Sequence, residues 1–553
     1  MSRVAFLPLD DRPVNYDYPQ YLARAAGLDL LQPPREWLGN PWRSSRHAEL
    51  IAWLPQAMAK SDALIIAIDT LAYGGLIPSR TSSEPAEIIL KRLEVLRELQ
   101  SINPEKPILA FNVILRISRA NSSEEEKPYW ATYGSHMFRL SYLEHKSQLG
   151  EASETEKNEY GVLHSQIPDD IYNDYQQGRQ RNHTINHTML DWLEYGVFDY
   201  LLLPQDDTAD YGWNIAEARD LQTAIRTRGL TERAITYPGA DEIGCLLLAR
   251  YICQTRDLRP RVWPRYSSIL SAGITTAYED RPIHELLKAH LAPLNGVVAN
   301  SPENADLLLF INAPVYAQGV GEFQWLVREG RDVIQQKLPA EFQHYAQALA
   351  QDEGFQRTRR EMETPQRSPE EFTRALLAAL RGDCPAALAD VAYVNGADLI
   401  LGEQLFEHVD IVGMAGYGGW NTAGNTLGSV LSQAVIQIAA SSVKTTPQQQ
   451  AAHLEFLFLH FLDDYQYQAR ERMRCMIEDL PALGFTPTEE RLAKTELATE
   501  IEARVRERLM RAAGLLRDLF IHSGQVRSVE VSNIHLPWQR LFEVGFDVKV
   551  NPR

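Results

Sequence analysis

Six short apolar runs are typical of buried β-strands, and most of them end directly at acidic or amide side chains. In parallel α/β proteins the carboxyl ends of the strands share one edge, where ligands bind. The pattern therefore predicts that residues spread over about 410 positions meet in one polar pocket. The runs are 4–9 before Asp10 and Asp11, 63–68 before Asp69, 108–111 before Asn112, 200–204 before Gln205, Asp206 and Asp207, 307–311 before Asn312, and 411–414 before a glycine-rich segment.

Stretches with apolar residues at helical spacing, such as 45–60 and 85–101, separate these runs. Strands that alternate with helices indicate βαβ units and a parallel sheet. Further strand candidates at 233–237, 267–274 and 392–401 bring the count to eight to ten. The sequence therefore predicts an α/β fold with a parallel-stranded core, as a distorted (β/α) TIM-like barrel or, alternatively, a wide doubly wound sheet.

At 553 residues the chain exceeds one usual domain. We expect an α/β catalytic core over 1–440 with helical insertions at about 120–192 and 320–385, the first placed as a lid over the strand ends. A mainly helical C-terminal region over 441–553 includes a charged helix at 489–511. It ends in a short strand pair at 526–531 and 544–550.

The composition of the chain restricts the classes of molecule that the protein is expected to bind. The net charge is −18, and an acidic surface argues against nucleic acid or an anionic membrane, which need basic patches. No signal peptide and no apolar run of about 20 residues is visible, and the four cysteines form no CxxC pair. We expect a cytoplasmic protein that needs no cofactor and acts on a small molecule or oligosaccharide, with its oligomeric state open.

Asp206 and Asp207 are the predicted catalytic residues. A turn after a strand can bring both side chains into one site. Two close carboxylates push one pKa up, which leaves one acid and one base at neutral pH. Such pairs cleave glycosidic bonds; in substrate-assisted cleavage one orients the acetamide of the sugar and the other protonates the leaving oxygen. The alternative is that one of them caps the following helix.

Other residues at the strand ends are predicted to bind the substrate. Arg12 either clamps an anionic group of a ligand or forms a structural ion pair in the first loop. The glycine pair after Asp69 and Tyr73 allows close approach to a ligand or simply a sharp turn. The predicted substrate-binding residues are Asp10, Asp11, Arg12, Asp69, Tyr73, Asn112, Arg116, Asp241, Asn312, Trp420, Asn421 and Asn425.

The glycine-rich segment 416–425 is neither a P-loop nor a GxGxxG fingerprint. Trp420 for stacking, with Asn421 and Asn425 for hydrogen bonds, suits a sugar better than a nucleotide. The alternative is a tight entry into a helix with Trp420 in the core. His183 and His187 are four residues apart, but HExxH is absent, which argues against a zinc protease; we expect no metal ligands from them.

Three motifs together resemble a bacterial protein family of unknown function whose members open with Pro-Leu-Asp-Asp-Arg-Pro-Val-Asn. They are 8–15, 69–75 and 420–425, and the resemblance covers nearly the whole chain. It implies no particular activity. Separately, an Asp-Asp pair at a strand end in mid-barrel looks like the substrate-assisted N-acetylhexosaminidases, which is an analogy based on two residues.

The leading hypothesis is a hydrolase of a small glycan or amino-sugar derivative, with Asp206 and Asp207 as acid and polariser and with Trp420 or Tyr73 stacked on the ring. A second hypothesis is a metal-assisted hydrolase or lyase that binds a divalent cation through Asp10, Asp69 and Asp206. A third is a non-catalytic sugar-binding or regulatory protein.

Overall fold

The computed structural model describes residues 2–441, 445–487, 492 and 496–553. The chain forms two compact units. The first contains Met1–Tyr16, Leu28–Leu247 and Tyr278–Asp280, and the second contains Asp17–Gly27, Leu248–Ala277 and Arg281–Arg553. The boundary expected at 440/441 is not one of these breaks.

A six-stranded sheet forms the core of the first unit, and all of its strand pairs are parallel. Its strands are largely apolar, as is typical of parallel sheets that helices cover on both faces. Four of the six predicted strand runs are confirmed here, as β1, β3, β4 and β5. The order β2-β1-β3-β4-β5-β6 joins β1 (Arg3–Leu7), β2 (Asp29–Leu31), β3 (Ala63–Ala67), β4 (Ile108–Phe111), β5 (Tyr200–Gln205) and β6 (Ala234–Pro238).

The first insertion is helical, as predicted. Its helices Trp130–Gln148, Glu154–Gln166 and Asp169–Glu194 bury a small apolar cluster of their own, which includes Trp130 and Tyr175. The other helices of this unit are Pro13–Tyr16, His47–Ala59, Ile68–Ala72, Leu76–Thr81, Ala86–Leu93, Val95–Ile102 and Trp213–Thr227, and Ile243–Thr255 continues across a break between units.

A second, five-stranded parallel sheet lies in the second unit. Its order β13-β11-β9-β7-β8 joins β7 (Arg261–Tyr266), β8 (Val297–Val298), β9 (Leu307–Asn312), β11 (Ala386–Asp390) and β13 (Gly416–Gly418). The short strands β10 (Gly319–Val320) and β12 (Tyr393–Val394) pair in parallel.

Three strand predictions are wrong in this unit. Residues 409–413 form a 3-10 helix, Val409–Gly413, and the strand follows at β13 instead. The candidate at 267–274 falls after β7, where the chain makes a 3-10 turn at Ser271–Gly273. The candidate at 392–401 holds only the two residues of β12 and then a helix, Leu399–Leu405, that the side chain of Asp398 caps. In each case a short apolar run forms a turn or a helix. The spacing of apolar residues in so short a run does not distinguish a helix from a strand.

The C-terminal region is mainly helical, and its final strand pair is confirmed as the antiparallel β14 (Val526–His535) and β15 (Gly545–Pro552). The helix Pro447–His460 continues as a π-helix, Phe461–Glu471, and the long helix Glu496–His522 follows. The start of the predicted charged helix, at 489–491 and 493–495, lies outside the described residues. The remaining helices of four or more residues are Tyr18–Ala26, Ile283–Leu291, Phe323–Glu329, Arg331–Lys337, Gln343–Leu349, Glu353–Glu363, Pro369–Leu380, Ala423–Ser441 and the π-helix Cys475–Asp479.

The strand order of each large sheet has two ends, so the pairing shows an α/β protein with parallel sheets and does not show a closed barrel. Within the residues that the structure describes, no helix is both long enough and apolar enough to cross a membrane.

Candidate functional site

The end of β5 places both candidate catalytic carboxyl groups at the edge of the first sheet. The backbone turns sharply at Asp207, whose φ of 38° is unusual for a residue other than glycine and tolerated best by Asn and Asp. The next helix, Trp213–Thr227, begins later and has Gly212 at its N-cap. Neither Asp206 nor Asp207 caps it, so the capping alternative is excluded.

The buried Arg80 and the partly exposed Arg116 bind these carboxylates. Arg80 donates to Asp206 Oδ2 (2.6 Å) and to Glu125 (2.9 Å). Arg116 donates to Asp207 Oδ2 (3.1 Å), to Glu125 (2.8 Å) and to Glu126 (3.0 Å). With two cations for four carboxylates the group keeps an excess of negative charge. We call these residues the Asp–Arg cluster: Arg80, Arg116, Glu125, Glu126, Asp206 and Asp207.

The two aspartates of the pair differ in environment. Burial raises the pKa of Asp207 to about 6, the negative charge of Asp206 adds to the increase, and the charges of Arg116 and Arg80 oppose it. The side chain of Asp207 is 29% exposed, against 10% for Asp206. Asp207 is therefore the member of the pair that can both hold a proton near neutral pH and meet a ligand.

Asp69, Tyr73 and Asn112 follow β3 and β4 and are fully buried. Asp69 Oδ2 accepts the backbone N–H of Val113 (2.9 Å). Among the described residues, Asp69 Oδ1 has no hydrogen-bond partner, while the side chain of Asn112 meets the Tyr73 hydroxyl. An unpaired buried polar atom costs about 1–3 kcal/mol, so the oxygen of Asp69 marks this point as unusual.

Burial raises the pKa of Asp69 to about 7, and the charge of Asp206 contributes to the increase. Burial also raises the pKa of Tyr73 well above its usual value, which keeps its hydroxyl protonated. The guanidinium of Arg181 lies 5.1 Å from the centre of the Tyr73 ring. Because the ring is buried and one face meets this cation, Tyr73 does not present an open face for a sugar.

The first loop forms an internal ion pair. Arg12 donates to Asp10 (2.7 Å) and to Asp241 (2.6 Å), and Asn15 also donates to Asp10 (2.9 Å). All four side chains are buried. This contact set matches the structural alternative for Arg12, because its guanidinium is already engaged by carboxylates of the chain itself. Asp11 is more exposed and accepts a hydrogen bond from the side chain of Asn40 (3.2 Å).

The glycine pair at Gly74 and Gly75 also has a structural explanation. Both residues have positive φ, and a Cβ on Gly74 would come within 2.5 Å of Ser44 Cβ. Residues 39–45 therefore occupy the space beside the glycine pair. The sequence had left open that a ligand approaches the backbone there.

Four of the predicted binding residues belong to the second unit. Asn312, at the end of β9, donates to Asp390 (2.8 Å) and Asp398 (3.2 Å) and accepts from Arg367 (2.9 Å). Arg367 also pairs with Asp398 and donates to the Tyr393 hydroxyl (3.1 Å). We call Asn312, Tyr393, Arg367, Asp390 and Asp398 the Asn312 network.

Trp420, Asn421 and Asn425 lie where the glycine-rich segment enters the helix Ala423–Ser441. Trp420 is 7% exposed and packs against Phe542, with ring centres 5.5 Å apart. Asn421 has a φ of 70°, and its side chain accepts the backbone N–H of Thr422 (2.9 Å). These contacts match the tight helix entry that the sequence left open as an alternative, and Trp420 has little surface to offer a sugar.

The sequence did not single out Arg80, Glu125 or Glu126. Arg80 lies in the short buried helix Leu76–Thr81, where a charged residue among apolar neighbours is a signal for a buried partner. The acidic run 124–126 has the composition of a solvated surface, yet Glu126 is buried. The first insertion thus supplies two carboxylates to the Asp–Arg cluster.

The fold and this edge define an α/β protein with parallel sheets and a buried, acidic cluster at the carboxyl ends of the strands in one unit. Residues 4–547 match the family described as "Protein of unknown function (DUF4127)". The chain belongs to that family, which confirms the resemblance to a family without an assigned activity. No curated protein and no solved structure matches the chain.

Proposed function

We propose that the protein is a hydrolase of a small glycan or amino-sugar derivative and that the Asp–Arg cluster is its catalytic centre. The observation that carries the proposal is the unequal pair at the end of β5, in which the pKa of Asp207 is raised to about 6 beside the ion-paired Asp206. A carboxyl group whose pKa is raised by burial, next to an ion-paired carboxylate, provides an acid and a charged partner at neutral pH. The proposal needs only the carboxyl edge of one sheet and does not depend on a closed barrel.

In the proposed reaction Asp207 gives its proton to the glycosidic oxygen as the bond to the anomeric carbon breaks. Asp206 accepts the N–H of the acetamide and directs its carbonyl oxygen to the anomeric carbon, as in substrate-assisted cleavage. Asp207 then removes a proton from the water that opens the intermediate. In this proposal Arg116 and Glu125, whose side chains are 18% and 20% exposed, hydrogen-bond sugar hydroxyls.

The contacts favour this proposal over the metal-assisted alternative. That alternative needs Asp10 as a ligand together with Asp69 and Asp206, but the carboxylate of Asp10 is occupied by Arg12 and Asn15. The four cysteines are unpaired, as they are in proteins of a reducing compartment, and we extend the proposal to a cytoplasmic location.

The test is turnover of fluorogenic aryl N-acetylhexosaminides and aryl hexosides by the full chain and by Asp207→Asn. The substitution keeps the acceptor for Arg116 but removes the proton donor, so turnover should fall about 10²–10⁴-fold. Because the acid must be protonated, wild-type kcat/KM should fall about tenfold per pH unit above pH 6. The matched control is Asp210→Asn, which removes an exposed carboxylate three residues away and should leave turnover unchanged.

Full turnover by Asp207→Asn would refute the role of this residue. Sugar binding by the wild type without turnover of any glycoside, and with equal affinity in Asp207→Asn, would instead identify a non-catalytic sugar-binding protein.

A further inference from the structure

A second group of potential ligands lies on two neighbouring helices of the first unit. His183 and His187 are on the helix Asp169–Glu194, and Asp220 is on the helix Trp213–Thr227. The Nε2 atoms of His183 and His187 lie 3.0 and 2.6 Å from the same oxygen, Asp220 Oδ2. In the described part of the chain, this is the one group of three His, Cys, Asp or Glu side chains whose ligand atoms all lie within 4.8 Å of one another.

We infer that His183, His187 and Asp220 bind a divalent transition-metal ion and that Zn²⁺ fits the group well. Histidines four residues apart lie on one face of a helix and can share an ion. Zinc bonds of about 2.0–2.2 Å in a tetrahedron separate ligand atoms by roughly 3.3 Å. The two His–Asp distances therefore need to open by less than about 1 Å to admit the ion.

The exposure of the three side chains supports this inference. The side chain of Asp220 is 57% exposed and that of His187 is 31% exposed. Asp220 can therefore rotate its carboxylate around an entering ion, and water can fill the remaining coordination position. Two imidazoles with one carboxylate select zinc and its neighbours over Mg²⁺ and Ca²⁺, which prefer oxygen ligands alone.

Two ion pairs hold these helices together on either side of the group. Arg179 pairs with Glu217 (2.6 Å), one turn before His183, and Asp191 pairs with Arg228, one turn after His187. The ligands are thus presented by helices that are already fixed, so little ordering has to accompany metal binding. The site shares no residue with the Asp–Arg cluster, and its test is independent of the proposed function.

A competing explanation is a hydrogen-bonded His–Asp–His group with no affinity for metals. Titration of Zn²⁺ into the chelator-stripped full chain, without a histidine tag, separates the two. We expect one tightly bound equivalent in the wild type and at least tenfold weaker binding in His187→Gln, at a partly exposed position, and in Asp220→Asn, at an exposed one. The matched control is His164→Gln, a histidine of the helix Glu154–Gln166 that contacts Tyr160 and Tyr172; its zinc affinity should equal that of the wild type.

Two further readouts report on the ion itself. Zn²⁺ should raise the thermal unfolding midpoint of the wild type and of His164→Gln but not of Asp220→Asn, because an ion that binds only the folded state stabilises it. Co²⁺ in place of Zn²⁺ should give a visible absorption band that is lost in His187→Gln. Equal zinc affinity in the wild type, His187→Gln and Asp220→Asn would overturn the inference, as would a wild type that binds no zinc at millimolar concentration.

Discussion

The two parallel sheets end in polar clusters of opposite character. In the Asn312 network of the second unit, Asp390 accepts hydrogen bonds with both oxygens, from Asn312 (2.8 Å) and from the backbone of Asp398 (2.8 Å). Arg367 satisfies Asp398 in turn. At the end of β3 in the first unit, Asp69 has one oxygen without a partner among the described residues, and at the end of β5 Asp207 reaches the surface.

The comparison shows that polar residues at strand ends serve two purposes. Residues that saturate one another stabilise the edge of a sheet and leave nothing for a ligand. Residues with unused hydrogen-bonding capacity or an exposed carboxyl oxygen can bind a ligand. A buried polar atom without a partner raises the free energy of the ligand-free protein, and a bound molecule can remove that cost. On this criterion we propose that the Asp–Arg cluster with Asp69 is the functional edge and that the Asn312 network has a structural role.

The largest expected effect comes from removing the buried cation of each cluster. Arg367→Met should lower the free energy of unfolding by about 3–5 kcal/mol, because the fully buried Asp398 loses its compensating charge. Arg80→Met should cost less, because the side chains of Asp206 and Glu125 are 10% and 20% exposed and can be hydrated. Urea unfolding with hydrogen exchange on peptides of each unit measures both, and the exposed Arg374→Met is the control. A larger loss in Arg80→Met would break the distinction.

A smaller effect separates the two buried aspartates. Burial raises the pKa of both Asp69 and Asp390 to about 7, so the folded state binds more protons than the unfolded state between about pH 4 and 7, and stability falls as the pH rises through this range. Asp69→Asn removes that penalty, and its amide oxygen can still accept the backbone N–H of Val113 while the amide nitrogen replaces the unpartnered oxygen. Between pH 5 and 8 it should gain roughly 2–3 kcal/mol relative to the wild type.

Asp390→Asn should show a similar gain between pH 5 and 8 but should be less stable than Asp69→Asn at both pH values, because its amide nitrogen would face one of the two donors that Asp390 now accepts. Urea midpoints of the two variants at pH 5 and pH 8 provide the measurement. Equal changes in the free energy of unfolding in both variants at each pH would show that the two edges do not differ as described.

The smallest expected effect concerns the glycine-rich segment. Asn421 has a left-handed backbone conformation, with a φ of 70°, so Asn421→Gly should change the free energy of unfolding by less than about 1 kcal/mol, while Asn421→Ala should lose about 1–2 kcal/mol. Both should retain glycoside turnover if Asn421 only shapes the helix entry. Loss of sugar binding in Asn421→Gly at unchanged stability would assign a ligand to this segment.

Much of the fold could be predicted because buried parallel strands are continuous apolar runs. β1, β3, β4, β5, β6 and β9 were all visible in this way. β13 was missed because two of its three residues, Gly416–Gly418, are glycines, which give no apolar pattern. β11, Ala386–Asp390, was missed because three of its five residues are alanine, which favours helix as much as strand. The division into two units was not foreseen, since chain segments such as 17–27 leave one unit for the other.

For the candidate site, the sequence could identify side chains at strand ends. It could not show which of them already form ion pairs or hydrogen bonds with other residues of the chain. The contrast between Asp10, held by Arg12, and Asp207, partly exposed, depends on long-range pairing that no local pattern contains. Arg80 and Glu125 are likewise brought to Asp206 and Arg116 from other parts of the chain. The apolar runs did predict that Asp206, Asp207 and Asp69 lie at the same edge of the sheet. Each run marks a strand, and the residues directly after parallel strands lie at one edge.

The first insertion also sets the order in which the chain becomes complete during synthesis. β4 and β5 are neighbours in the sheet, yet about ninety residues separate them in the chain. At a translation rate of about 5–20 residues per second, β5 is synthesised roughly 4–18 s after β4. During that time the backbone N–H and C=O groups along this edge of β4 are unpaired and can pair with other strands. The three helices of the insertion emerge in this interval, so Trp130 and Tyr175 can pack against each other before β5 pairs with β4.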